Sequence, residues 1–277
     1  MNILNKFTCA PSQLNYMVNM LNQKNTPPII DYIRESTNGV NSYTKIKDTI
    51  RQYPQNFFAI KLSALGIQDS VVDCIDKTNK IIKEAKQYHS RILIDAENHE
   101  IQHMVNDVTD IMMHKHNQEH LTVYKTYQMY KKDALIQLIN DLNSDRSHAI
   151  GIKLVRGAYL NQDKHLGVLC DNEHETHRQY DDAILQFVSL YKPRDQLLCA
   201  THNMRSVFVA KQYMNKYNLT NIEFAQLLGM SDRMSYDLQN NGYKTYKYLP
   251  YGQLHESIPY LLRRLYENYP MINYVKL

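Results

Sequence analysis

The clearest pattern of chemically useful side chains lies near the C-terminus, in the stretch HESIPYLLRRLYEN (255–268). Four of its polar residues follow the i, i+3, i+4, i+7 spacing of one helix face: Tyr260, Arg263, Arg264 and Glu267. Two adjacent guanidinium groups form a planar array of donors that matches a carboxylate or a phosphate. The competing interpretation is a solvated charged face, in which each i,i+4 pair contributes only about 0.3–0.5 kcal/mol. Because this helix directly follows the last predicted strand, the binding interpretation is favoured.

Polar or charged side chains also occur in or at the C-terminal end of nearly every predicted strand. They are Asp31, Lys61, Asp95, Lys125, Lys153, Arg156, Thr201 to Asn203, Gln226 and Tyr248. Charges that converge on one face are costly to desolvate, and either a ligand or mutual pairing must offset that cost. The number of strands involved favours a ligand site over a structural charge network.

Gly157 stands where one of these strands ends, next to Arg156. Glycine lets the backbone approach a ligand closely, and its neighbouring N–H groups together with Arg156 suit a phosphate. The alternative is a tight turn between strand and helix, which is the commoner use of glycine.

Other chemistries lack their sequence fingerprints. The motifs GxGxxG, GxxxxGK[ST] and GxSxG are absent. Two histidine groups could suggest a metal: 114–120 contains an i,i+4 pair, and 174–177 is one residue short of the HExxH spacing without an evident third ligand. Both lie away from the predicted strand ends, so we interpret them as solvated side chains and predict no metal. The four cysteines are scattered, which predicts reduced thiols without a catalytic role: Cys9, Cys74, Cys170 and Cys199.

Composition limits the class of protein. The chain has 277 residues, of which 43% are hydrophobic and 22% charged, and this excludes a disordered or collagen-like chain. The formal net charge is +4, and the charged residues of both signs are interspersed along the chain. This excess of positive charge is too small to indicate nucleic-acid binding. No apolar run approaches the roughly 18 residues of a membrane span.

The N-terminal MNILNKF resembles neither a secretory nor an organelle signal, so we expect a cytoplasmic location, with mitochondria as the alternative in a eukaryote.

Eight short β-rich runs alternate with helical stretches along the chain. The predicted strands span 27–33, 57–65, 91–97, 121–127, 149–157, 197–203, 222–229 and 244–252. Most are nearly continuous apolar runs, as expected for parallel strands covered on both faces. Helices are predicted near 11–24 and over 68–89, among others. Eight such units without a linker favour a single (β/α)8 barrel over a doubly wound sheet. We predict one domain covering 1–277, in which an N-terminal helix precedes the barrel.

Seven stretches resemble, in the same order, the catalytic barrel of the flavin-dependent proline dehydrogenases (proline oxidases). They are FFAIKLSAL, ILIDAE, TYQ, KLVRGAYL, ATHN, EFAQLLGM and YKYLPYGxxxxxxPYLLRRLYEN, and the resemblance covers about residues 27 to 268. It implies an α/β fold with a (β/α)8 barrel modified at the last helix, which binds FAD. The implied reaction is oxidation of L-proline to Δ1-pyrroline-5-carboxylate, with a quinone or another acceptor taking the electrons. Peripheral contact with a membrane is left open.

The resemblance also implies roles for individual residues. Lys61, Arg263 and Arg264 would pair with the proline carboxylate. Asp95 would orient the arginines, Lys153 would lie near the flavin ring, and Glu35 would form a gate with Arg263. The implied wall around the proline ring consists of Tyr159, Leu227, Tyr248 and Tyr260. The implied FAD contacts are Ala96, Lys125, Arg156, Gly157, Ala158, Thr201, His202, Asn203, Gln226 and Glu267.

Two departures from the family pattern support an alternative function. Lys125 stands where many members have Gln or Asn, and Ile33 stands where a glycine often precedes the gate residue. A catalytically silent barrel with a binding or regulatory role is therefore the main alternative. Another flavin barrel, similar to methylenetetrahydrofolate reductase, is disfavoured by PYLLRRLYEN. Tyr248 favours proline over hydroxyproline, because an extra hydroxyl would find neither space nor a partner against a filled wall.

Overall fold

The computed structural model describes residues 6–33 and 39–252. Its strands are β1 (Pro28–Tyr32), β2 (Phe57–Ile60), β3 (Arg91–Ile94), β4 (Val123–Gln128), β5 (Gly151–Val155), β6 (Gln196–Ala200), β7 (Ile222–Leu227) and β8 (Thr245–Tyr251). Its helices are α1 (Leu14–Gln23), α2 (Gly39–Gln52), α3 (Val71–Gln87), α4 (His99–His116), α5 (Ala134–Asn143), α6 (Leu160–Asp163), α7 (Glu173–Leu190), α8 (Met204–Tyr217) and α9 (Asp232–Asn240).

The eight strands form a closed barrel in chain order, which confirms the predicted (β/α)8 fold. The predicted helices near 11–24 and over 68–89 are also present, as α1 and α3. Several strands end earlier than predicted. β2 stops at Ile60 because the following residues form a 3-10 turn, Ser63–Leu65, and β3 stops at Ile94. Lys61 and Asp95 therefore begin the loops that follow these strands.

The chain divides into two compact units, one comprising Met1–Ser90 and Ala225–Leu277 and the other Arg91–Phe224. We call them the first and the second unit. The prediction of a single domain over 1–277 stays a prediction.

In the first unit, β1 pairs in parallel with both β2 and β8. The segment before α1 also follows β8: Cys9 forms a parallel bridge with Tyr251, and the Thr8 hydroxyl donates to the Pro250 carbonyl at 2.9 Å. The carbonyl of Lys6 lies where a Cβ on Gly229 would approach within 2.2 Å. Glycine is therefore required for the N-terminal segment to lie against the loop after β7.

In the second unit, β3, β4, β5 and β6 form a continuous run of parallel pairs. All six residues of β4 are buried, which is the both-faces-covered pattern expected for barrel strands. At the amino ends of the strands, Arg91 pairs with Glu223 at 3.4 Å and reaches the hydroxyl of Tyr124 at 3.3 Å. These polar groups satisfy one another at the end of the strands opposite to the candidate site.

The four cysteines are unbonded thiols, as predicted. Burial raises the pKa of Cys9 and of Cys199 to about 12, so neither is a reactive thiolate at neutral pH. Within residues 6–33 and 39–252, no helix combines the length and hydropathy needed to cross a membrane.

Candidate functional site

A buried ion pair joins the carboxyl end of β3 to the middle of β5 in the second unit. The Lys153 ammonium donates to the Asp95 carboxylate at 2.6 Å, and both side chains are less than a tenth exposed. Asp95 is the first residue after β3, whereas Lys153 is the third residue of β5, and the β3–β4–β5 pairing brings the two together. A buried charge pair of this kind is expensive to form, so its position at the end of β3 is consistent with a binding role.

The guanidinium of Arg156, directly after β5, is held by three neutral acceptors. Its Nε donates to His177 Nδ1 at 3.1 Å, one terminal nitrogen donates to the Thr201 hydroxyl at 2.7 Å, and the other donates to the Ser206 hydroxyl at 2.9 Å. Its carbon lies 4.4 Å from the centre of the Tyr180 ring. Burial lowers the pKa of Arg156 from its ordinary value, yet the group remains charged at any physiological pH.

Arg156 is fixed in place but is not directly neutralised. Among the described residues it forms no ion pair, and Asp181, the acid that joins this network, accepts from the Ser206 hydroxyl instead. A guanidinium that is anchored by neutral groups and only half-buried keeps N–H groups and charge for an anion. This donor set fits a phosphate.

The turn after Arg156 depends on glycine. Gly157 has φ +146°, and a Cβ there would lie 2.3 Å from the Tyr130 ring. The ring cannot swing aside freely, because the Tyr130 hydroxyl donates to the buried Asp163 carboxylate at 2.7 Å and its backbone N–H donates to the Arg156 carbonyl at 2.7 Å. The backbone at 156–158 is thus packed against a fixed aromatic ring, and Tyr159, which precedes α6, is buried.

Residues 201–203 lie in the loop between β6 and α8 and serve the local structure as well as Arg156. The Thr201 hydroxyl accepts from both Arg156 and the Asn203 backbone N–H, the latter at 3.0 Å. The Asn203 side chain caps α8 by accepting from the Ser206 N–H at 3.2 Å. His202 is half-buried beside them. The predicted residues Arg156, Thr201 and Asn203 therefore form one connected network.

The first unit contains a second ion pair at strand ends. Lys61 donates to both oxygens of the Asp31 carboxylate, at 2.9 and 3.1 Å, and Asp31 is only 1% exposed. Two further predicted site residues are buried in this unit: Tyr248 in β8, and Gln226 in β7, whose side-chain oxygen accepts from the Ser235 hydroxyl of α9 at 2.9 Å. Leu227 ends β7 and is half-buried.

Lys125 requires a correction. It lies in the middle of β4, and its ammonium binds Asp110 of α4 and Asp141 of α5, each at 2.8 Å. The side chain thus faces the helices that cover the strand. Because these two acids hold its ammonium on the helix side of the strand, the expected cofactor contact is not carried further.

The histidine interpretation is also wrong in two places. His116 is buried at 5% exposure, and His177 is only partly exposed because it accepts from Arg156. In the described part of the chain, no group of three or more His, Cys, Asp and Glu side chains is arranged to hold a metal.

Five predicted residues lie outside the described residues: Glu35, Tyr260, Arg263, Arg264 and Glu267. Ala96 is described and is half-buried in the loop after β3.

Sequence reasoning missed Gln128, the last residue of β4. Its Nε2 donates to the Glu97 carbonyl at 2.9 Å, and its Oε1 accepts from the Ala158 N–H at 3.4 Å. It thereby joins the loops after β3 and β5. The signal was present in the stretch TYQ, where Gln128 is the final residue. Ser206 and Asp181, which lie near Arg156 on helices distant in the chain, carried no sequence signal, and His177 was interpreted as a solvated side chain.

Comparison with known proteins identifies the family. The family model described as proline dehydrogenase matches residues 12–276. Hydroxyproline dehydrogenase of Xenopus laevis is 34% identical over 227 residues, which cover 76% of this chain and 49% of the relative. Human mitochondrial proline dehydrogenase 1 is 32% identical over 210 residues, covering 70% and 35% respectively. Proline utilization A from Bdellovibrio bacteriovorus has the same fold, with a TM-score of 0.86 at 18% identity over 96% of this chain and 32% of that one. The chain spans half or less of the length of these proteins, and it belongs to the proline dehydrogenase family.

Proposed function

We propose that the chain catalyses the FAD-dependent oxidation of L-proline to Δ1-pyrroline-5-carboxylate, with a quinone as the final electron acceptor. The observation that carries this proposal is the match of the proline dehydrogenase family model over residues 12–276. Bound FAD would supply a hydride acceptor for the ring carbon that is bonded to nitrogen and does not bear the carboxylate. The proton on the nitrogen would leave to solvent. The protein's own contribution is to hold substrate and cofactor in a reactive geometry, which can supply about 7 kcal/mol or more.

The donor set of the second unit supports FAD as the cofactor. Arg156 has the anchored, unneutralised charge that a phosphate needs, and the N–H groups at Gly157 and Ala158 follow it directly. Lys153, buried with Asp95, supplies a cation for the electron-rich end of the flavin ring. The remaining proposed FAD contacts are Ala96, Thr201, His202, Asn203, Gln226 and Glu267.

The proposed substrate contacts hold proline by its two chemically different parts. Lys61, Arg263 and Arg264 bind the carboxylate, and Asp31 supports this role because it fixes the Lys61 ammonium at 2.9 Å. The apolar ring packs against Tyr159, Leu227, Tyr248 and Tyr260. Asp95 balances the positive charge of the cluster, and Glu35 acts as the gate.

A visible spectrum of the purified protein, before and after anaerobic addition of L-proline, tests the proposal. We expect a yellow protein whose flavin absorbance bleaches when proline is added and returns when a quinone is supplied. A colourless protein that takes up no added FAD, or a yellow protein that proline does not bleach, would favour the silent barrel instead. D-proline, which has the same groups in the opposite configuration, is the matched control substrate.

Tyr248 supports proline over 4-hydroxyproline as the substrate. Sequence identity does not separate the two, because relatives named for each are 34% and 32% identical to this chain. Tyr248 is buried, and a filled wall around the proline ring would offer an added hydroxyl neither space nor a partner. We expect kcat/KM for trans-4-hydroxy-L-proline to be at least tenfold lower than for proline, and Tyr248→Ser to narrow that ratio. Equal kcat/KM values for the two substrates would contradict this assignment.

A further inference from the structure

His177 is bound to Arg156 in a way that requires one protonation state. Its Nδ1 accepts the hydrogen bond from Arg156 Nε at 3.1 Å, so Nδ1 carries no proton. The ring proton must then reside on Nε2, which lies 3.6 Å from a Glu173 carboxylate oxygen. This tautomer follows from the hydrogen-bond network, because Arg156 can only donate.

The charges around His177 explain why it is neutral. Arg156 approaches it from the end of β5, while His174, Glu173 and Asp181 lie on its own helix, α7. Partial burial, followed by the positive charge of Arg156, lowers the pKa of His177 below its ordinary value of 6.5, and the two acids oppose this shift. Arg205 of α8 lies 3.5 Å from Asp181 and is paired with that acid.

We propose that His177 is a positioning residue that, in its neutral form, holds the Arg156 guanidinium in place for a phosphate-bearing ligand and, when protonated, releases it. This inference rests on the assignment of Arg156 to phosphate binding in the proposed function. Arg156 has three anchors, and His177 is the only one of the three that titrates near neutral pH. Thr201 and Ser206 hydroxyls keep their acceptor capacity at every physiological pH.

Protonation of His177 would change two things at once. The acceptor at Nδ1 becomes a donor, so the hydrogen bond to Arg156 is lost, and two cations then face each other at hydrogen-bond distance. Since the folded-state pKa is lowered, the bond is intact at neutral pH and is lost only as the pH falls through that lowered value. Ligand affinity should therefore fall on the acid side while the fold remains intact.

Calorimetric titration with FAD, and separately with inorganic pyrophosphate, at pH values from about 8 to about 5 tests the inference across the ordinary histidine range. The informative variant is His177→Asn, because the asparagine oxygen can occupy the position of Nδ1 and accept from Arg156 without titrating. His177→Leu removes the acceptor at all pH values. His174→Asn, an exposed histidine on the same helix, is the matched control, and thermal unfolding of each variant checks the fold.

We expect wild type and His174→Asn to lose about tenfold in affinity on acidification, the loss of one hydrogen bond to a charged group. His177→Asn should bind as wild type does at about pH 8 and lose less than threefold on acidification. His177→Leu should show the weak affinity throughout. The comparison of His177→Asn with wild type decides the result. An unchanged pH profile in His177→Asn, or wild-type affinity in His177→Leu, would overturn the inference.

The titration with inorganic pyrophosphate separates this inference from the proposed function. If the protein fails to bind FAD but its affinity for pyrophosphate keeps this pH dependence, only the proposed cofactor is overturned.

Discussion

Replacement of Gly157 by alanine probes the turn that presents Arg156 and the following N–H groups. The added Cβ would lie 2.3 Å from Cδ1 and 2.4 Å from Cε1 of Tyr130, far inside van der Waals contact. At φ +146° the backbone is also in a region that residues with a side chain rarely adopt. Both terms act on the same segment, so the turn must either stay strained or move.

The expected cost is the sum of these two terms. Backbone strain contributes about 1–3 kcal/mol, and overpacking contributes about 1–3 kcal/mol. Tyr130 cannot relieve the overlap cheaply, because its hydroxyl is bound to Asp163 at 2.7 Å. Gly167 provides a matched control, since it has φ +69° but nothing within 4 Å of a built Cβ. Gly167→Ala should cost only about 1–2 kcal/mol, so the two variants should differ by about 2–3 kcal/mol.

The assay is urea unfolding of both glycine variants, of Tyr130→Ala, and of the double variant Gly157→Ala/Tyr130→Ala, which completes the cycle. If the overlap with the ring is responsible, the two changes at 157 and 130 should couple by more than about 1 kcal/mol, because removing the ring also removes the clash. FAD affinity should fall in Gly157→Ala and stay near wild type in Gly167→Ala. Equal unfolding free energies for the two alanine variants, or no coupling to Tyr130, would refute this account of the turn.

Three further outcomes follow from the site. Lys153→Met should lower the unfolding free energy by about 3–5 kcal/mol, since it leaves Asp95 charged and buried. Lys132→Met, which breaks the exposed ion pair with Asp171, should leave the unfolding free energy nearly unchanged, and similar losses in the two variants would contradict the reasoning. Arg263→Met should raise KM for proline at least tenfold and leave the flavin spectrum unchanged, and an unaltered KM would remove Arg263 from the carboxylate site. Turnover should rise between about pH 6 and pH 9, because the proline nitrogen must lose a proton and nearby cations only lower its pKa; a flat profile would show that this proton does not limit the rate.

The sequence was sufficient to predict the barrel and the positions of its strands. Period and composition alone indicated eight buried runs separated by helices, and all eight became strands of one closed barrel. The positions of Lys61, Asp95, Arg156 and Thr201 at the carboxyl ends of strands were also predictable, because in parallel strands these ends share one face.

The direction of individual side chains was decided by the tertiary structure. Lys125 was expected at the site, yet it binds acids on α4 and α5. Gln128 of the same strand instead hydrogen-bonds to the loop after β3 and to Ala158 in the loop after β5. Since every residue of β4 is buried, the strand shows no alternation of polar and apolar positions. The pattern that would reveal which residues face the helices is therefore missing from the sequence.

The partners of the predicted residues were likewise set by the fold. Arg156 is held by His177, Thr201 and Ser206, which are 21, 45 and 50 residues away in the chain. No local spacing rule reaches that far, because helical and strand periodicities relate only residues within a few turns or one strand. By itself the sequence determined which chemical groups this protein possesses and at which end of the barrel they lie. Only the packing of α7 and α8 beside β5 decided that a neutral histidine, rather than an acid, anchors the arginine, and this leaves its charge for an anion.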